Sequence, residues 1–447
     1  MKIKGLLCAT ALLGILAACE RPTILAGQRF DARANLDEIM PAANGVTVPE
    51  AGKPANRAVP VSLGGQVANS EWSHRAGSAS HSMPHLALSA NPRPLWSANI
   101  GRGETKRARI TASPVVAGGK IFALDAQNRL TALSAASGGL VWQVDVTAPG
   151  ERADKVSGGG LAYGEGRLFV TTGFGELLAI SPSNGGVLWR QRFDAPVAGA
   201  PTVSGGQVFV AGRDGMSWAV DAGTGKIKWA QAGVRQQSGV RGGSSPAVSG
   251  GNVVMPWSAG QIMSIGQAKG EGVWMASVAG ERPGRAVSLI GDLLGEPVIA
   301  GGKVYVGSSS GLTQAFSAQT GEQLWMAREG SMGAVWPVGN AVYLVSDEGK
   351  LVRLDAATGE TVWSMPMGHY TDERAKKRRD VVSHYGPVLA GGRLVVASSD
   401  GLIRFYAPDS GAPLGSLTLS GGAAAAPAVA GGILYIVTAN GQVQAFR

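Results

Sequence analysis

Pro297-Val298-Ile299-Ala300-Gly301-Gly302-Lys303-Val304-Tyr305 carries the pattern that decides the fold. Proline is tolerated where a strand begins at a sheet edge, an apolar pair follows, and two glycines supply a turn. β-branched and aromatic residues then open a second strand. The same phrase recurs from Pro114, Pro201, Pro246, Pro387 and Pro427, in shortened form from Pro337, and with leucine in place of proline from Leu161. Neighbouring starts lie 40 to 51 residues apart, the length of one four-stranded propeller blade. After each start comes a third strand, such as Leu351-Val352-Arg353-Leu354, then a turn and a final strand. That strand closes on Trp142, Trp189, Trp229, Trp274, Trp325 or Trp363. Thr224-Gly225, Thr320-Gly321 and Thr358-Gly359 precede three of these tryptophans as hairpin turns. The tryptophans are expected to bury their large apolar rings between neighbouring blades.

The chain ends test the repeat. The eighth copy stops at Gln444-Ala445-Phe446-Arg447, one strand short, while Pro94-Leu95-Trp96 has a closing-strand pattern with nothing before it to complete. The segment around Trp96 is therefore expected to supply the missing strand. The fold class is all-β: an eight-bladed β-propeller of four-stranded antiparallel blades over residues 91–447, closed by an N-terminal strand in the last blade. One copy departs from the pattern, with Gly415 where tryptophan is expected.

Composition agrees. Of 447 residues, 67 are glycine, 45% are hydrophobic and 16% are charged. This excludes a disordered polyampholyte, and without a G-X-Y period it excludes collagen. The net charge of +9 is dispersed except for Arg374, Lys376, Lys377, Arg378 and Arg379, a run read as a solvated loop, with attraction to anionic head groups or an acidic partner as the alternative. No aromatic and basic interleaving or zinc-finger spacing accompanies it, so no nucleic-acid partner is expected.

Residues 1–18 read as a secretory leader. Lys2 and Lys4 precede an apolar run from Gly5 to Ala18, too short for a spanning helix of about 20 residues. The run ends in Leu16-Ala17-Ala18-Cys19, which resembles the lipobox of bacterial lipoproteins. That resemblance implies acylation of Cys19 and a lipid anchor, and Glu20 resembles the residue that forwards such proteins to the outer membrane. Cys8 leaves with the leader, so disulfides and cysteine-ligated metals are not expected. Residues 19–90 lose strand periodicity and read as the lipidated cysteine and a flexible tether, about 45 Å from end to end as a coil. The part around Trp72, His74, His81 and His85 is a candidate for docking on the body. His81 and His85 stand four apart, but the Ser82-Met83-Pro84 between them reads as loop, which argues against a helical metal pair.

The endings Ala222-Gly223-Thr224-Gly225-Lys226-Ile227-Lys228-Trp229 and Ala357-Thr358-Gly359-Glu360-Thr361-Val362-Trp363 resemble the repeat of the quinoprotein-like eight-bladed propellers. That superfamily includes dehydrogenases that use pyrroloquinoline quinone and calcium, and noncatalytic scaffolds of the BamB family in outer-membrane barrel assembly. The scaffold family is the better match, because no cysteine lies beyond Cys19 and Asp125, Asp221 and Asp355 sit where turns explain them. Val240-Arg241-Gly242-Gly243-Ser244-Ser245-Pro246 resembles the family segment whose arginine contacts BamA, the barrel-forming subunit, and Val240 keeps an apolar family position that Ser238 does not. The segment Ser288 to Pro297 is similar to a second contact segment, in which Asp292 matches an acidic position and Leu294 replaces another. Val240, Arg241, Asp292 and Leu294 are thus the candidate partner-binding residues. An intramolecular role for Arg241, capping a loop or pairing with Asp292, is compatible with that contact.

The reading is a lipid-anchored scaffold at the outer membrane, facing the periplasm, with a BamA-like partner and no catalytic residue, metal or cofactor. The alternatives are a periplasmic quinone-dependent dehydrogenase and a propeller recognising cell-wall or other partners.

Overall fold

The computed structural model describes residues 56–156, 158–197, 199–233, 243–257, 260–278 and 295–447. Cys19, the tether to residue 55, and Val240, Arg241, Asp292 and Leu294 lie outside the described residues. The described residues form eight four-stranded antiparallel sheets, one per repeat. In blade 1 the strands are Val115–Ala117, Lys120–Leu124, Arg129–Ser134 and Leu140–Asp145, from inner to outer. Blade 8 takes its outer strand, Pro94–Asn99, from the start of the propeller. Trp96 pairs with Ala445 and Ala98 with Val443, while Arg93 and Arg447 exchange backbone hydrogen bonds of 2.7 and 2.9 Å. The expected closure is present.

Each blade has both faces covered by its neighbours. Strand interiors are therefore apolar on both sides, as in Ile121-Phe122-Ala123-Leu124, all buried. One cluster joins Phe122 and Leu130 of blade 1 to Leu168 and Val170 of blade 2.

The tryptophans join blade to blade. Trp229, on the outer strand Ile227–Ala232 of blade 3, lies over the turn of blade 4, where a Cβ added at Gly270 would stand 2.6 Å from its ring. Gly270 has φ +77°, so glycine both makes this turn and leaves room for the indole. The indole Nε1 donates to Gln267 O in the same turn at 2.9 Å, and Phe209 packs beside it at 5.8 Å. Trp96, Trp142, Trp189, Trp274, Trp325 and Trp363 meet Gly138, Gly185, Gly225, Gly321, Gly359 and Gly411 in the same way.

The exception at Gly415 follows from closure. Blade 7 would dock a tryptophan on the turn between the third and outer strands of blade 8, but that blade is built from both ends of the chain and has no such turn. A Cβ at Gly415 would meet nothing within 4 Å. The aspartates serve turns as expected, though at two places. Asp221 and Asp355 accept backbone N–H groups in third-to-outer turns, whereas Asp125 does so in a second-to-third turn on the opposite face.

The tether expected over residues 19–90 carries a docking candidate around Trp72, His74, His81 and His85, and its described part packs against the blades. Residues 56–90 form a strap that enters along the outer strand of blade 6, where Arg57 N–H donates to Val362 O at 3.1 Å. It then passes the buried Arg353, whose guanidinium donates to Val59 O, Pro60 O and Asp409 O. Inside the ring it meets every other blade. Trp72 exchanges backbone bonds with Val116 of blade 1, Ser73 O accepts from Tyr163 N–H of blade 2, and Ala79 O from Val248 N–H of blade 4. Ser80 O accepts from Ile299 N–H of blade 5, Leu86 pairs with blade 7, and Asn69 O accepts from Gly431 N–H of blade 8. The physical reason is that each inner strand exposes one row of backbone groups to the bore, and an extended segment satisfies them.

The strap histidines complete this docking. His74 Nε2 accepts from Val203 N–H of blade 3 at 3.0 Å, and Ser73 Oγ lies 2.9 Å from its Nδ1. His81 Nδ1 donates to Pro297 O at 2.8 Å, and His85 Nε2 accepts from Gly392 N–H at 2.8 Å. His81 and His85 thus serve blades 5 and 7 separately. Desolvation pulls His74 down to about 3, with His81 adding to the effect, and pulls His81 down to about 4.

Trp229→Ala should cost about 3–5 kcal/mol in chemical denaturation, whereas Gly415→Trp, at φ +134° with no turn to meet, should give no gain and cost about 1 kcal/mol or more. Because His74 stays neutral in the fold while an unfolded histidine takes a proton below 6.5, its stabilisation is complete above that pH and is lost as pH falls towards 3. From pH 7 to pH 5 the loss from His74 is about 2 kcal/mol. His74→Gln should shrink the pH dependence of unfolding by that amount, and an unchanged dependence would refute the assignment.

Candidate partner-docking face

Antiparallel strands place the glycine turns of all blades on one face of the ring and the outer-to-inner connections on the other. The candidate contact loops, residues 234–242 and 279–294, are connections of the second kind. The first joins the outer strand of blade 3 to the inner strand Ala247–Ser249 of blade 4, and the second leads from Gly272–Ser277 to Val298–Ala300 of blade 5. Their candidate residues lie outside the described part, but the ends that carry them are fixed.

Those ends are joined. Ser244 Oγ donates to Gly295 O at 3.1 Å, directly linking the feet of the two loops. Arg75 of the strap donates from Nη1 to Gly243 O at 2.9 Å, while its Nε lies 2.5 Å from Glu296 Oε1. Glu296 is only 2% exposed. Desolvation raises its carboxyl pKa, and Arg75 opposes that rise. A buried pair of this kind adds little net stability over apolar packing, yet losing one partner leaves a costly unpaired charge. Its effect here is positional, because one arginine holds both loop feet at a fixed spacing.

Sequence reading missed Arg75 and Glu296. A signal existed for the glutamate, since it stands immediately before Pro297, where the other repeats carry Ser113, Gly160, Ala200, Ser245, Trp336, Gly386 and Ala426. An acid that breaks a repeat at a buried position requires a partner. Nothing local marks Arg75 as that partner.

The same face opens into a cavity of about 790 Å³. Trp72, Arg75 and His81 of the strap form part of its lining, together with Glu104, Arg109, Val335, Trp336, Arg379 and the run Ala423–Ala426. The strap therefore stands across the bore, and the cavity is entered from the loop face. Glu104 pairs with Arg109 at 2.7 Å and Glu296 with Arg75, so two of its carboxylates are already held by arginines. Among the described residues, no three His, Cys, Asp or Glu side chains converge as a metal site.

Known proteins resemble this chain in sequence and in fold. A Yersinia pestis protein named outer membrane protein assembly factor BamB is 25% identical over 371 residues, covering 81% of this chain and 91% of the relative. A Burkholderia pseudomallei protein of that name is 26% identical over 356 residues, covering 79% and 87%. The crystal structure of BamB from Moraxella catarrhalis aligns with a TM-score of 0.66 at 18% identity, over 80% of this chain and 100% of that one. Quinohemoprotein alcohol dehydrogenase from Comamonas testosteroni aligns with a TM-score of 0.62 at 15% identity, over 84% and 80%. At such identities the structural likenesses speak for the fold alone. Residues 126–365 and 368–447 match the family described as outer membrane protein assembly factor BamB, and with most of its length so matched, the chain belongs to that family.

Proposed function

We propose that this chain is a noncatalytic, lipid-anchored scaffold of outer-membrane protein assembly, held at the outer membrane through Cys19 and facing the periplasm. Its partner is a BamA-like subunit, captured by Val240, Arg241, Asp292 and Leu294 on the two loops between blades 3, 4 and 5. The family match supports the assembly role. The observation that carries the site is the joint of Ser244, Gly295, Arg75 and Glu296, which fixes the loop feet side by side. Neighbouring feet let two loops act as one surface, and an arginine flanked by apolar residues has the composition of an interface hot spot.

The scaffold needs no reacting group. The carboxylates of Glu104 and Glu296 are committed to arginines within the protein. The strap also occupies the bore with Trp72 and Arg75. The dehydrogenase likeness is one of fold alone. A lipid anchor would keep scaffold and partner at one membrane and raise their effective concentration, so a modest contact suffices.

The test is capture from detergent-solubilised membranes, reading whether a barrel protein with periplasmic domains is retained. Arg241→Glu should lower capture at least about tenfold, the scale of a hot-spot loss, with thermal unfolding unchanged. Undiminished capture by the folded variant would remove the site assignment and leave the family membership standing.

A further inference from the structure

The cavity mouth has a second set of loops, separate from the two assigned above. Loop 100–114, between blades 8 and 1, carries Arg102, Lys106, Arg107 and Arg109 against Glu104 alone. Loop 367–383, between blades 6 and 7, carries Arg374, Lys376, Lys377, Arg378 and Arg379 against Asp372, Glu373 and Asp380. Both contribute to the lining of the cavity. Between them lies the connection into the inner strand of blade 8, Gly421-Gly422-Ala423-Ala424-Ala425-Ala426. It has no side chain longer than a methyl group, and Ala423 to Ala425 are buried. Two basic ridges thus flank a low floor of small residues.

The ridges are shaped from within. Glu104 accepts from Ile110 N–H at 3.1 Å as well as from Arg109. Arg374 grips Asp372 through Nε and Nη2, and Arg378 donates from Nε to Glu373 O at 2.9 Å while lying over the Tyr370 ring. These contacts consume the acidic residues Asp372 and Glu104. Lys376, Lys377 and Arg379 remain exposed, with no ion pair among the described residues.

We propose that this mouth is a docking cleft for an acidic projection of a partner protein. Carboxylates would lie against Lys376, Lys377 and Arg379, and the backbone would rest on the floor at Ala423–Ala426. Charge complementarity selects an acidic partner, and an arginine fork adds direction to each carboxylate contact. The concave, recessed floor selects a polypeptide over a bilayer, which would touch only the loop tips. The strap across the bore selects a loop tip or chain end over a threaded strand. The cleft is independent of Arg241, so its failure and that of the proposed function are separable.

The experiment uses the full chain carrying Cys19→Ser, so that no acyl chain contributes, with a fluorescein-labelled polyglutamate peptide as probe and fluorescence anisotropy as readout. The peptide is expected to bind, and the triple variant K376E/K377E/R379E to weaken it at least about tenfold, or 1.4 kcal/mol. Ala426→Trp, which raises the floor without changing charge, should weaken it comparably. Lys226→Glu, on the opposite face, should leave it unchanged. Equal affinity in the triple variant overturns the proposal, as does full binding by Ala426→Trp, which would reduce the effect to diffuse attraction. Sedimentation with phosphatidylglycerol vesicles that the triple variant abolishes, without peptide binding by the parent chain, would assign the loops to lipid and overturn it as well.

Discussion

Everything in this ring depends on an indole lying over a glycine. Each outer-strand tryptophan crosses to the next blade and covers its last turn, and all but Trp363 donate a hydrogen bond into it, as Trp229 does at Gly270 and Gln267. The contact works only if the turn residue lacks a side chain, so the two positions form one device split between neighbouring repeats. It fixes the spacing of blades that otherwise meet through interchangeable aliphatic side chains. The irregular Gly415 confirms the logic from the negative side, since the device is missing only where the receiving turn is replaced by the two chain ends.

A ring of this size leaves a bore, and the bore exposes the inner edge of every blade. Unpaired edges invite strand addition from other chains. Here the chain supplies its own cover. The strap bonds to inner-edge backbone, uses His74, His81 and His85 where a second polar atom is needed, and is clasped by Arg353 as it passes between blades 6 and 7. The same segment also ties two connections together, because Arg75 reaches from it to Gly243 and Glu296 at their feet. Closing the bore and holding the feet of the proposed docking loops are thus two results of one packed segment.

Much of the fold was legible because a propeller writes its rules locally and eight times over. The glycine turn, the apolar strand and the closing tryptophan lie within one repeat, and the missing strand could be counted. The site was legible only in part. The loops with Val240, Arg241, Asp292 and Leu294 are proposed through resemblance, while the Arg75–Glu296 pair at their bases was not anticipated. A glutamate that breaks the repeat is visible in the chain, but its partner lies in a segment with no periodicity.

The amino-acid order by itself determined the number of blades, their strand sequence, the closure at Trp96 and the turns that require glycine, because each rests on short-range sterics and on a period that repetition makes plain. Only the tertiary structure decided that residues 56–90 belong to the body, that His74 and His81 are buried in neutral form, and that two distant loops share a base. Those outcomes depend on which backbone groups a closed ring leaves unsatisfied, and an open chain has no inner edge for a strap to find.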